Sequence, residues 1–417
     1  MTPTWTAFRY RCLAPATLAT LAAASPLAAQ SAPAGGGGSQ PAQPAPAPQP
    51  AAAPTLNFSG VIFGSYNYQL PTTPTQLRNQ NNNSFVVDRA YLNFRIAAGD
   101  RTSIRVTTDV FQSADSTSNA YTVRAKYAYL QYEAPKAANG AQVTGRIGIL
   151  HNVVIDHTDT FWARFLGQAA TERAGFFSSA DVGLAGLLTL PHKWGEVYAT
   201  IVNGPGYAAR ERDRFKDFAV RLSLTPLMNT SASSLLQTFT ITAWGYKGAT
   251  ASTFVNGGTG QVGAVGEALD RSRAGIFVGV RDPKLVLGGE IAQRHDGGET
   301  GQNTPAAPRV ATTTTGRLLS GLTLVRPFAF ANASGKSPFG IVARYDRVTP
   351  TVRTTGFATP PSSSNAYHNL IGGVFYDLSQ RAQLALDYQE SLASDNGVSN
   401  APPGQSKGYY AHFVVNF

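Results

Sequence analysis

Nine arginines fall at alternating positions within short stretches of extended character: Arg89, Arg95, Arg105, Arg146, Arg221, Arg271, Arg273, Arg281 and Arg344. In a strand, alternate residues share one face. A guanidinium is permanently charged and presents a planar fork of donors to carboxylates and phosphates. A row of them could neutralise buried acids, or it could line an aqueous space and concentrate anions there. The acids on the same parity are Asp109, Glu290, Asp346 and Asp387. Nine bases against four acids leave that face cationic. Arg124 and Lys126 share a parity with Leu130, so alternation assigns neither of them.

Other chemistry is thinly represented. His151 and His157 stand near Asp156 and Asp159, but their spacing matches no standard metal or acid–base pattern. There is no Gly-x-Ser-x-Gly motif, no P-loop and no cysteine pair, Cys12 being the one cysteine. No catalytic, cofactor-binding or metal residues are expected, and the chain does not read as an enzyme. A Ser/His hydrolase with its residues spread over several strands stays open as an alternative.

The elements carrying these arginines are strands. Charged residues make up 14% of the 417, well under the roughly 25% of an average soluble protein. The mean hydropathy of -0.13 excludes a helical membrane protein. Abundant Gly, Thr, Tyr and Phe suit pleated structure. From Leu56 onward, segments with period-2 character alternate with Gly, Pro, Asn and Ser clusters. They predict sixteen strands: Leu56–Leu70, Phe85–Ile96, Thr102–Gln112, Tyr121–Tyr132, Gln142–Leu150, Val182–Leu190, Glu196–Asn203, Phe218–Thr225, Leu236–Lys247, Leu269–Arg281, Leu285–Gln293, Arg317–Arg326, Phe339–Asp346, Tyr367–Asp377, Ala382–Ser391 and Lys407–Phe417.

Long and short connections alternate between them. Pro71–Ser84, His151–Asp181, Gly204–Asp217, Gly248–Ala268, Arg294–Gly316, Val348–Ala366 and Leu392–Ser406 are long; Ala97–Arg101, Asp282–Lys284 and Leu378–Arg381 are short. An even strand count with loops segregated to one end describes a transmembrane barrel, in which every backbone polar group must be paired. Sixteen strands make a ring too wide for side chains alone to fill. The fold class expected is all-β, a transmembrane antiparallel β-barrel with a disordered N-terminal segment. The more apolar face of each strand then meets lipid, as with Ile104, Val106 and Val110, and the arginines face inward.

The termini agree with export to such a membrane. Arg9 and Arg11 precede an uncharged Ala/Leu stretch ending near Ala28-Ala29, so residues 1–29 read as a cleaved signal peptide. Residues 30–54 are almost entirely Ala, Pro, Gln, Gly and Ser, a disordered periplasmic spacer. Residues 55–417 form the barrel domain. The last strand alternates Tyr409, Ala411, Phe413, Val415 and Phe417 on one face. That pattern resembles the terminal strand outer-membrane barrels present to their assembly machinery. Net charge is +10, or +8 without Arg9 and Arg11. Nucleic acid is not an expected partner of an exported barrel. The loop His151–Asp181 carries Phe161, Trp162, Arg164, Phe165, Arg173, Phe176 and Phe177, a poor set to leave in water. It is expected to fold into the barrel mouth and constrict it.

Three short motifs resemble the phosphate-selective porin O and P family within the outer-membrane porins. They are Phe85-Val86-Val87-Asp88-Arg89-Ala90-Tyr91-Leu92, Arg146-Ile147-Gly148-Ile149 before a long loop containing Glu172-Arg173, and Val202-Asn203-Gly204. The resemblance covers most of residues 56–417. It implies a sixteen-stranded, usually trimeric channel with inward arginines. The expectation is therefore a Gram-negative-type outer-membrane porin passing small hydrophilic solutes with a bias to anions, phosphate-like ones included. Lipid and lipopolysaccharide would surround it. The alternative outside the enzymes is a structural or adhesive barrel with a plugged lumen.

Overall fold

The computed structural model describes residues 54–72, 83–113, 120–252, 266–300, 310–327, 337–354, 362–364, 366–393 and 405–417. The signal segment and all but the last residue of the spacer lie outside the described residues. The strands are β1 (Thr55–Leu70), β2 (Asn83–Gly99), β3 (Thr102–Gln112), β4 (Tyr121–Glu133), β5 (Gln142–His151), β6 (Ala180–Thr189), β7 (Gly195–Val202), β8 (Asp217–Leu224), β9 (Thr240–Ala251), β10 (Ala268–Arg281), β11 (Leu285–Thr300), β12 (Val310–Val325), β13 (Phe339–Thr354), β14 (Ser362–Ser364), β15 (Tyr367–Asp377), β16 (Ala382–Ala393) and β17 (Ser406–Asn416). Each of the long strands runs antiparallel to its neighbours, and β1 pairs with both β2 and β17. The sheet is thereby a closed ring of sixteen, with no open edge. The three-residue β14 adds only to the outer end of β13.

Most boundaries fall within two or three residues of expectation. The ninth strand begins at Thr240 rather than Leu236, because Ser234–Gln237 close a helical turn. β11, β12 and β13 run well past the expected ends, so Arg294–Gly316 and Val348–Ala366 are only partly loop. Their extensions include Thr312 to Thr315 and Gly297-Gly298, which have no apolar face. Above a membrane both faces of a hairpin meet water, so hydropathic alternation stops while the ladder continues.

A β-bulge explains the fourth strand. Thr107 lies opposite Tyr127, yet Thr108 lies opposite Ala125, so β4 carries one extra residue at Lys126. A bulge shifts side-chain parity by one. Arg124 and Lys126 above it turn inward, and below it Tyr127 and Tyr129 do, leaving Leu130 and Tyr132 exposed outside. β2 carries further irregularities, opposite Phe63–Ser65 and at Ala97–Gly99, whereas β8 alternates strictly: Asp217, Ala219, Arg221 and Ser223 are buried while Phe218, Val220, Leu222 and Leu224 are exposed. The barrel exterior is a continuous apolar belt.

The last residue completes the ladder that closes the ring. The backbone N–H of Gly60 donates to the carbonyl of Phe417 (2.8 Å), and the N–H of Phe417 donates to the Gly60 carbonyl (3.0 Å). The Phe417 ring covers Gly60 so closely that a Cβ there would overlap it, and it packs 5.8 Å from Phe58. Deleting Phe417 should therefore lower the amount of heat-modifiable barrel in the membrane fraction while export proceeds. Normal barrel abundance after the deletion would refute that role.

Candidate functional site: the lumen and the loop inside it

Residues 152–179, joining β5 to β6, fold into the ring rather than over it. Three short helical turns, Ile155–Thr158, Arg164–Leu166 and Ala170–Arg173, satisfy much of the loop backbone internally. Phe161, Trp162, Phe165 and Leu166 pack onto inward side chains of the wall, among them Phe63, Phe277, Leu322 and Phe375. The Phe161 and Phe277 rings lie 4.7 Å apart. Val153, Ile155, Phe176 and Phe177 pack on Tyr198, Trp244, Leu318 and Val348. All are buried. Alternation alone expects water on that inner face. The signal for the actual arrangement was present in strands apolar on both faces, such as Leu318-Leu319 and Val414-Val415. One face meets the outside, and the other meets the loop.

Polar contacts tie the loop down. Arg344 forks onto Asp346 (2.6 Å at the shortest), donates to the Gln168 carbonyl and stacks 4.9 Å from Trp162. Arg281 donates to the Thr160 carbonyl, Arg294 to that of Gly175 (2.8 Å), and Gln389 to that of Leu166 (2.8 Å). Within the loop, Arg164 bridges Asp159 (2.9 Å) and Glu172 (2.6 Å), with all three side chains largely buried. Burial raises the Asp159 carboxyl above the ordinary carboxylate range, Arg164 opposing the shift. Burial, with Arg344 nearby, lowers the Arg173 guanidinium.

The other arginines divide by partner. Arg221 pairs with Glu196, Arg271 with Asp217 (3.1 Å) and Arg273 with Asp296 (3.0 Å). Asp217 also accepts a hydrogen bond from the Tyr246 hydroxyl. Glu196, Asp217 and Asp296 were not among the four inward acids expected. They sit at or beyond the ends of the assigned strands, where the parity count stopped. On the β2–β5 wall, Arg89 and Arg124 share the single carboxylate of Asp109 (2.9 and 3.0 Å). Arg105 donates to Asn93 (3.0 Å) and Thr107 (3.1 Å), Arg146 to Gln131 (2.8 Å), and Lys126 to the Tyr91 hydroxyl (2.8 Å). Arg95 lies on the same inward parity, half-buried. Of the expected acids, Asp387 meets His412 (3.1 Å), and Glu290 is buried beside Trp244.

His151 and His157 both lie where the loop meets the wall. His151 Nδ1 lies 2.7 Å from Asp156, as a catalytic pair would require, but its Nε2 faces Arg105 at 3.0 Å and its ring stacks on Tyr127 at 3.7 Å. The pair leads to a cation, where a triad needs a nucleophile. His157 Nε2 lies 2.9 Å from the Thr242 hydroxyl, buried between Phe161 and Phe277. Both histidines hold the loop to the wall.

No protein-family model matches the sequence, and no curated protein matches it either. Solved structures do. A loop-deleted OmpT from Vibrio cholerae is similar at a TM-score of 0.53 and 11% identity, over 88% of this chain and 100% of that one. OmpF of Salmonella typhi, solved with daunomycin, is similar at 0.52 and 11%, over 87% and 97%. An anion-selective porin from Comamonas acidovorans is similar at 0.52 and 10%, over 88% and 100%. At such identities the likeness concerns architecture, and the architecture of this chain is that of the sixteen-stranded outer-membrane porins.

Proposed function

We propose that the chain forms a porin-type channel in a Gram-negative-type outer membrane, for passive diffusion of small hydrophilic solutes with a preference for anions. The observation that carries this reading is the β2–β5 wall. Arg89, Arg105, Arg124, Lys126 and Arg146 turn inward there; Arg89 and Arg124 share Asp109, while Arg105, Lys126 and Arg146 donate to neutral side chains. The rest of the lumen is closer to neutral, because its arginines meet carboxylates. The loop lies chiefly against the apolar stretch from β7 round to β1. Arg105 and Lys126 are buried, so the passage would run beside the half-exposed Arg89, Arg95, Arg124 and Arg146, narrowed by the loop segment bearing Phe161, Trp162, Arg164 and Arg173. One sign of charge beside a low-dielectric wall concentrates the opposite ion. Inorganic phosphate is a natural member of that class, since guanidinium forks match its oxygens. The fold neighbour from Comamonas, described as anion-selective, supports the direction. The signal peptide, assembly through Phe417 and trimerisation belong to the same proposal; one OmpT neighbour is described in a trimer form.

A plugged barrel is the second reading, favoured by the depth of the apolar core between loop and wall. Planar-bilayer recordings separate the two: discrete conductance steps support the channel, and silence from inserted barrel supports the plug. In a salt gradient the reversal potential should have the anion-selective sign, more strongly at low salt where screening is weak. Replacing Arg95, Arg124 and Arg146 with Gln should move it to zero or beyond. That set leaves Asp109 its Arg89 partner. A cation-selective wild type, or a triple variant identical to it, would refute the anion reading.

A further inference from the structure

The barrel exterior changes character at one height on β9 to β15. From the short-turn end upward, outward side chains are apolar, for example Val278 and Ile276 on β10, Leu287 and Ile291 on β11, and Leu319 on β12. The next outward positions are Gln293, Arg317 and Arg347. Register puts Arg317 opposite Gln293 and Thr349, and Arg347 opposite Leu319 and His368. Long loops mark this end as extracellular, so the boundary is where the outer leaflet's headgroups begin.

Arg317 and Arg347 break the rule that arginines face inward. They are diagonal neighbours on adjacent strands, a relation that sets side chains about 7–8 Å apart. Both are exposed, and neither has a carboxylate partner among the described residues. Charges further round the girdle are matched: Lys247 with Asp270 at 2.8 Å, and His368 with Glu390 at 3.1 Å. Two adjacent unmatched cations repel each other unless an anion lies between them. Directly below is a groove of about 660 Å³, opened by the small side chains of Ala243 and Ala274 between Ile276, Ile291 and Leu319. Directly above is a polar hollow of about 610 Å³ lined by Ser272, Gln293, His295, Thr315 and Thr349. Both include Arg317.

We propose that this exterior site binds a phosphorylated, acylated glycolipid of the outer leaflet, of the lipid A class. Its phosphate would sit between Arg317 and Arg347, an acyl chain in the apolar groove, and sugar hydroxyls against the polar hollow. Guanidinium–phosphate contacts are charge-assisted and directional, and basic pockets on a membrane protein's flank recognise anionic headgroups. An apolar groove alone would take any lipid. The cation pair with a hydroxyl- and amide-lined hollow above it selects a phosphorylated sugar. The site rests on the reading of the chain as an outer-membrane barrel.

The test is native mass spectrometry of the full refolded chain in detergent. Three lipids are titrated separately: bis-phosphorylated lipid A, its dephosphorylated form and phosphatidylglycerol. Wild type should retain lipid A best. R317Q/R347Q should weaken that retention by about tenfold or more, as expected for losing charge-assisted contacts, and dephosphorylation should do the same to wild type. K247Q, whose lysine already has an acidic partner, should bind as wild type. Heat-modifiable migration confirms that each variant is folded. Undiminished lipid A retention by R317Q/R347Q would overturn the proposal, and so would equal or tighter binding of phosphatidylglycerol. A change in subunit number in that variant without lipid would overturn it in favour of a protein–protein face. Lipid A retention by a barrel silent in bilayers would refute the channel reading and support this site; conductance without retention would do the reverse.

Discussion

Excising residues 160–175 and bridging Asp159 to Phe176 with a short Gly/Ser linker should raise single-channel conductance several-fold. That segment contributes Phe161, Trp162, Phe165 and Leu166 to the core inside the ring, and all four are buried. Their volume is lumen cross-section denied to water and ions. A ring of sixteen strands needs no such filling to stay closed, because the backbone ladder from β1 round to β17 pairs without the loop. The barrel should therefore survive, at a cost. Phe277, Leu322 and Phe375 would face water, and each large apolar side chain so exposed forfeits about 1.5–3 kcal/mol. A lower thermal midpoint with an inserted, more conductive channel is the expected pair of results. Unchanged conductance from a stably inserted barrel would show that the ion path avoids the loop altogether.

Replacing Arg164 with Met should be the most damaging single substitution in the loop. Its guanidinium bridges Asp159 and Glu172 at 2.9 and 2.6 Å, and its side chain is only 8% exposed. The substitution leaves two carboxylates buried and close together. Breaking a buried ion pair by removing one partner costs about 3–5 kcal/mol. The expected results are a loop open to limited proteolysis between residues 152 and 179, and noisy or enlarged conductance. Acid should rescue the variant in part. Burial raises the Asp159 carboxyl even with Arg164 present, and removing the cation raises it further. A carboxyl with a raised folded-state pKa favours the native state when protonated. Stability is therefore fullest below its ordinary titration range and lost as pH climbs through the raised value. A variant whose protease resistance equals wild type at neutral pH would show that Arg164 does not hold the loop.

The barrel was legible in the sequence because a strand facing lipid on one side and polar surroundings on the other must alternate. β3, β8 and β15 could be placed within a residue or so on that basis. Legibility failed where one of the two environments changed. The extensions of β11 to β13 have water on both sides, so Thr312 to Thr315 resembled a loop. Leu322 and Val414 meet loop side chains inside the ring, so apolar residues stand on both faces there, a pattern that alternation does not interpret. At Lys126 a single inserted residue reversed the parity of β4; its mark in the sequence is the shared parity of Arg124, Lys126 and Leu130, which alternation could not resolve.

The candidate site divides in the same way. The sequence, by itself, determined that the nine arginines share one parity of their strands, that a loop rich in aromatics follows the fifth strand, and that the chain has the composition of a membrane barrel. Which arginines hold the loop, which neutralise acids and which crowd around Asp109 was decided only by the tertiary structure. Periodicity reports the face a side chain occupies. Its charge acts through whatever stands opposite, and in a closed ring that partner lies on another strand or a folded-in loop. Arg344 is bound to Asp346 and Gln168, Arg271 to Asp217, and Arg89 shares an acid with Arg124. The field inside the lumen is the sum of those pairings, and ring closure sets them.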